Sequence, residues 1–292
     1  MKMAAFLEKK DQQKQKLVQS PSDGIYSSKR LQRRQSLFIN ASRLAFLVVL
    51  LVVWQFLSGR YANPLIISSP LAVAQRLWGW ILDGTLWFHT WLTIQEIIWG
   101  LVFGILSGIL VGFLFGLQQD LAKIFNPFII TFNSIPKVAL APLFILWFGI
   151  DIQMKVILAA VTVFFLVFMN TLDGVRNVDQ SLIDAVRLMG GKRRDIILKV
   201  ILPSATGYML TGLRVAIPYA LIGAVIAELI ASNRGIGYLI DSSATSFDTA
   251  GVFAALLVLT IIASILNAIV NLIDRKTSRW KAVMSIDRKV IP

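Results

Sequence analysis

The chain has no cysteine, one histidine and only 15% charged residues across its 292 positions. The missing cysteine excludes disulfide frameworks, thiolate metal sites and cysteine nucleophiles, and leaves the redox compartment open. A single histidine leaves metal chemistry little material, and no metal site is expected. No nucleophile stands with a base, and no carboxylate pair or metal-ligating cluster marks an enzyme, so no catalytic residue is assigned. The phosphate loop G-x-x-x-x-G-K-S/T is absent, so any ATP must be bound by another polypeptide.

What is abundant is apolar. Hydrophobic residues make up 56% of the chain and its mean hydropathy is +0.71, above the roughly 45–50% apolar fraction of soluble domains. A span needs about 20 mostly apolar residues. Six such runs occur, at 37–57, 93–117, 126–150, 153–170, 207–231 and 250–273. The expected fold class is therefore all-α, a polytopic membrane protein with about six transmembrane helices. Three regions follow: an arm over 1–36, a six-helix transmembrane domain over 37–273, and a basic tail over 274–292. The arm is polar, carries no cleavage pattern of a signal peptide, and is expected to be disordered and cytoplasmic.

The net charge of +13 would suit nucleic acid if it were spread over a soluble surface. It is not. Of the 29 Lys and Arg, ten fall in 1–43, one at Lys123, six in 171–206 and six after residue 273. The opposite side holds Arg60, Arg76, Lys155 and Arg234, while Lys137 and Arg214 lie inside runs. By the positive-inside rule both termini are cytoplasmic, and the charge reads as topology plus contact with anionic headgroups rather than nucleic acid.

Five of the eight tryptophans, Trp78, Trp80, Trp87, Trp91 and Trp99, cluster after the first run, as amphipathic indoles do at an interface. Ser69 can cap, and Pro70 can open, a short surface helix through Leu82. His89 is read as an interfacial polar residue, since a lone histidine lacks the partners catalysis needs. In the second run Gly100, Gly104, Gly108, Gly112 and Gly116 repeat every fourth residue, a ridge for close helix packing.

The third run is interrupted by Pro136 and Pro142 beside Asn133, Ser134 and Lys137. A bend serving packing alone and a polar wall of a permeation path both fit. Arg214 and Glu228 are the charges of the fifth run. Fourteen residues of helix put them about 21 Å apart and within about 40° of one face, so each needs a partner on another helix. They are read either as members of structural pairs or as solute-path or gating residues.

Residues 171–206 form the most informative segment. Asp179 can cap a first short helix, Gly190 and Gly191 turn the chain, and Ile196, Ile197, Val200 and Ile201 give a second helix one apolar face that Pro203 closes. The product is a cytoplasmic helical hairpin suited to docking a partner.

This segment resembles the loop of binding-protein-dependent ABC permeases: E-A-A, three residues, G, nine residues, I, one residue, L-P. Asp184, Ala185 and Val186 stand at E-A-A, Gly190 at the glycine, Val200 at the isoleucine, and Leu202 with Pro203 at the end. Asp for Glu, Val for Ala and Val for Ile are its departures. The likeness extends past Leu44 and is closest to the nitrate, sulfonate and taurine type, through Ser134-Ile135-Pro136-Lys137, Trp147-Phe148-Gly149, Gly212-Leu213-Arg214, Ala227-Glu228 and Gly235-Ile236-Gly237-Tyr238.

The resemblance implies the permease subunit of an ATP-driven importer in a bacterial-type inner membrane. Its implied partners are cytosolic ATPase subunits carrying ATP and Mg, a second permease copy in a homodimer, and an external solute-binding protein. The chain itself binds no cofactor. The loop would couple to the ATPase, and the solute would be a small anion such as nitrate, bicarbonate, sulfonate or taurine, or a vitamin precursor. An ion-coupled secondary transporter is the rival reading. It would need acidic relays or repeated halves, which the sequence does not display.

Overall fold

The computed structural model describes residues 21–58, 60 and 66–277. Two units are distinguished, residues 1–62 and 63–292. Among its described residues the first contains a helix, α1 (Pro21–Leu57), whose Phe38–Leu57 portion is long and apolar enough to cross a bilayer. Helix therefore begins inside the expected disordered arm. Residues 1–20 of that arm, and the tail from 278, lie outside the described residues.

The described residues of the second unit are built of helices joined by short turns. α2 spans Pro70–Leu82, capped by the Ser69 hydroxyl, which accepts from the Ala72 N–H at 3.2 Å. α3 spans Thr85–Leu117 and starts two turns before the expected residue 93. The entry turn is made by Gly84, whose φ of +82° a residue with a Cβ seldom adopts. α4 (Gln119–Ser134), a 3₁₀ turn (Lys137–Leu140) and α5 (Ala141–Phe148) follow. α6 (Ile152–Arg176) returns. α7 (Gln180–Leu188) and α8 (Arg193–Ile196) form a hairpin, and a π turn (Ile197–Ile201) leads into α9 (Leu202–Ile230). α10 (Ile236–Thr245) and α11 (Thr249–Thr277) complete the unit.

Among the described residues five helices are long and apolar enough to span a membrane, or six if the bent pair of α4 and the segment through α5 counts as one span. That pair differs from the expected 126–150 run. It bends by 85° at Ile135–Pro136, where proline cannot donate to the preceding turn. Pro142 does not break anything; it sits in the first turn of α5, where a missing N–H costs nothing. Pro203 likewise opens α9 instead of closing the hairpin's second helix.

α6 is the helix on which both α3 and α9 pack. All five glycines of the expected ridge face it. A Cβ built on Gly100, Gly104, Gly108, Gly112 or Gly116 would come within 2.5–2.9 Å of Ala159, Val163, Val167, Phe168 or Val175. On the other side Gly223 lets α9 approach the Ala159 backbone. Lipid tails supply no hydrophobic drive between helices, so such backbone-close contact, rich in dispersion attraction, is what holds the bundle.

Candidate functional site

The hairpin lies where the ends of α3 and α6 meet. Asp179 caps α7 by accepting from the Ser181 N–H at 2.9 Å. Ser181, through its side chain first and its backbone second, holds the Asp179 carboxyl below the usual carboxylate range. Asp184 faces solvent and accepts from Gln180 Nε2 (3.2 Å) and Arg187 (3.1 Å). Ala185 is exposed and Val186 half-buried. The turn is made by Gly190 at φ +79°, with open space around it. Gly191 follows because a Cβ there would strike Val186 at 2.5 Å.

Asp195 accepts from the Lys192 N–H (3.0 Å), fixing the start of α8, and pairs with Lys199 at 2.8 Å. Ile196, Val200 and Ile201 are buried, and Ile196 and Ile201 join Val175 and Ala205 in one apolar cluster. Leu202 and Pro203 stay exposed at the start of α9. The expected apolar face is thus turned toward the bundle. Two residues the sequence did not single out stand at the tip: Leu188 is 90% exposed and Met189 86%.

At the 85° corner, Asn133 and Ser134 are exposed. Lys137 reaches back across the break, donating to the Asn133 carbonyl and to its side-chain oxygen at 3.1 Å, with its ammonium 5.0 Å from the Phe165 ring centre. Arg214 is on an exposed face of α9 and is engaged in a contact of its own. Glu228 is 1% exposed. The structure does not gather these five residues into one site. Asn133, Ser134 and Lys137 are together; Arg214 and Glu228 stand apart.

Glu228 instead belongs to a buried polar knot at the opposite end from the hairpin. Its Oε1 accepts from the Thr93 hydroxyl and its Oε2 from the Gly237 N–H, both at 2.7 Å. Thr93 Oγ1 accepts from the Ile236 N–H at 2.9 Å. His89 Nδ1 accepts from the Gly235 N–H, also at 2.9 Å, and the ring stacks on Tyr238. His89, expected only as an interfacial polar residue, is thus buried and hydrogen-bonded within the protein. Lys155, counted from sequence as an outer-loop charge, is 4% exposed and pairs with the fully buried Glu96 at 2.7 Å. The knot ties α3, α6, α9 and α10 together. Outside it, Arg76 of α2 pairs with Asp248 ahead of α11.

Thr93 and Lys155 were missed because their partners lie far along the chain. A signal existed: His89, Thr93 and Glu96 fall at helical spacing and run into the Gly100 ridge, a polar stripe on an otherwise apolar helix. Among the described residues no group of His, Cys, Asp or Glu side chains could hold a metal ion. The arrangement offers a hairpin with an exposed apolar tip, a polar corner and a buried polar knot.

Residues 100–279 match the family described as binding-protein-dependent transport system inner membrane component. The chain is 32% identical over 234 residues to a putative aliphatic sulfonates transport permease protein of Bacillus subtilis, SsuC, covering 80% of this chain and 85% of the relative. It is 38% identical over 239 residues to the riboflavin transport system permease protein RibX of Chloroflexus aurantiacus, with 81% and 88% covered. In fold it resembles a chain of the MetNI methionine ABC transporter in an inward-facing conformation, at a TM-score of 0.51 and 19% identity, over 68% of this chain and 96% of that one.

Proposed function

The chain belongs to the binding-protein-dependent transport system inner membrane component family, and from that premise we propose that its α7–α8 hairpin is the seat of the ATPase. It is a multi-pass inner-membrane permease of an ABC importer and not itself the ATPase; the family implies ATPase and solute-binding-protein partners. The observation that carries the proposal is the exposed tip of Leu188 and Met189 beside Gly190, on a hairpin whose other face is buried against α6 and α9. Apolar side chains held out in water at a tight turn are a knob for a groove. Asp184, Ala185, Val186, Gly190, Val200, Leu202 and Pro203 shape it, Val200 from its buried side.

ATP-driven closure of two ATPases would favour one packing of the helices over another, and the hairpin would transmit that bias. The permease acts as a homodimer, with both termini cytoplasmic and solute delivered from outside. The test is a pull-down of the solubilised chain as wild type and as Gly190→Asp. At φ +79° an Asp strains the turn and adds a charge. The ATPase is expected with the wild type and lost, by about ten-fold or more, from the variant. An unchanged yield would sink the coupling role.

The solute is read as a small anion of the sulfonate class. Lys137 at the corner and Arg214 on α9 supply positive charge, and a sulfonate permease is among the relatives. A riboflavin-like vitamin is the second reading, favoured by the 38% identity to RibX. Uptake of a labelled sulfonate and of riboflavin by cells expressing the complete transporter separates them. Lys137→Met is expected to lower sulfonate uptake by about ten-fold. Riboflavin uptake indifferent to that change, with no sulfonate uptake at all, would select the vitamin.

A further inference from the structure

The geometry points to a phosphate-binding site on this chain, in the cavity between the α7–α8 hairpin and the adjoining ends of α3 and α6. It rests on the reading above, which puts this end of the bundle on the cytoplasmic side. The cavity holds about 490 Å³. Arg176, from the last turn of α6, Arg187 of α7 and Arg193 of α8 all line it, and no acidic side chain does. Arg187 is shared with Asp184, on the exposed side of α7. Arg176 and Arg193 form no ion pair with any described residue.

Three guanidiniums around one cavity, two of them without a counter-charge, form an anion receptor. The planar fork of arginine fits two oxygens of a phosphate at once, which a point charge does not. Gln180 also lines the cavity, and the other lining side chains are apolar, among them Leu117, Ile196 and Ile197. A cavity lined by both arginines and apolar side chains, at the cytoplasmic ends of membrane helices, suits a phospholipid headgroup with the start of its chains. A free phosphate would use the same arginines without the apolar wall. Because the hairpin is one wall, an occupant links it to α3 and α6, and occupancy bears on how firmly the ATPase seat is held.

The experiment uses the purified permease–ATPase complex in nanodiscs of equal parts phosphatidylglycerol and phosphatidylcholine, then exchanged into detergent, with retained lipid counted by mass spectrometry. Wild type is expected to keep phosphatidylglycerol over phosphatidylcholine by about ten-fold, and Arg176→Gln/Arg193→Gln to lose that preference. A second arm uses phosphatidylcholine alone with added inorganic phosphate. A rise in melting midpoint in wild type but not in the variant, without lipid enrichment, assigns the site to free phosphate.

Equal retention and equal midpoints in both proteins overturn the site. Should the variant not fold, the wild type decides. Bound phosphatidylglycerol is expected to fall several-fold between about 0.1 and 1 M salt, since exposed charges such as these are screened, and retention indifferent to salt also overturns it. Absence of the ATPase from the wild-type preparation would fail the coupling reading alone, because both phosphate arms can be run on the chain without it.

Discussion

Lys155 holds its ammonium 2.7 Å from Glu96 with both side chains out of solvent. Two charges so placed have already lost their hydration, so removing one strands the other at a cost of about 3–5 kcal/mol. Lys155→Met is expected to lower the melting midpoint in detergent by that equivalent, while Lys155→Met with Glu96→Met recovers most of it, because a well-packed apolar pair replaces a buried ionic one at little cost. Equal loss in the single and double variants would show that the pair's value is not electrostatic. At this scale the sequence was only half legible. Glu228 could be picked out as a charge needing a partner, but not that Thr93, 135 residues away, would be the one. Lys155 looked like a loop residue because it stands in the first turn of α6, and it is the approach of Glu96 on α3 and of the Arg234 carbonyl after α9 that engages it.

Between helices the decisive quantity is a distance of closest approach. A Cβ on Gly104 would lie 2.6 Å from Val163 and 2.7 Å from the Ala160 carbonyl, nearer than atoms tolerate. Gly104→Val is therefore expected to force α3 and α6 apart and to leave little folded protein in detergent by size-exclusion profile. Gly79→Ala in α2 is the control. Nothing lies within 4 Å of that position, and alanine's better helix propensity, worth about 1 kcal/mol, makes the change neutral or slightly stabilising. Elements were the most legible level, since apolar run length reports spans and every fourth-residue glycine reports a seam. The 85° corner was legible as a break at Pro136 but not as an angle. Pro142 and Pro203 misled because a proline reads as a stop, whereas in a first turn it is a start.

For the whole chain, orientation rests on the uneven distribution of Lys and Arg, and the lack of cysteine makes it directly measurable. Single cysteines placed at Leu188 and Trp87, both exposed, are expected to react with a membrane-impermeant maleimide from opposite sides of sealed vesicles, Leu188 from the cytoplasmic one. Labelling of both from the same side would contradict the six-span topology and with it the cytoplasmic hairpin. The fold class could be read from sequence because bilayer thickness dictates helix length. The pairing of distant polar groups could not, because nothing local encodes it. The glycine seam has a last consequence, one of heredity. Every single-base change in a glycine codon that yields another amino acid adds at least a Cβ, and at Gly100, Gly104, Gly108, Gly112 and Gly116 even that one atom meets α6. The seam is thus written in codons that have no silent neighbour among the missense changes, so a gene of this kind would drift almost anywhere sooner than along this line.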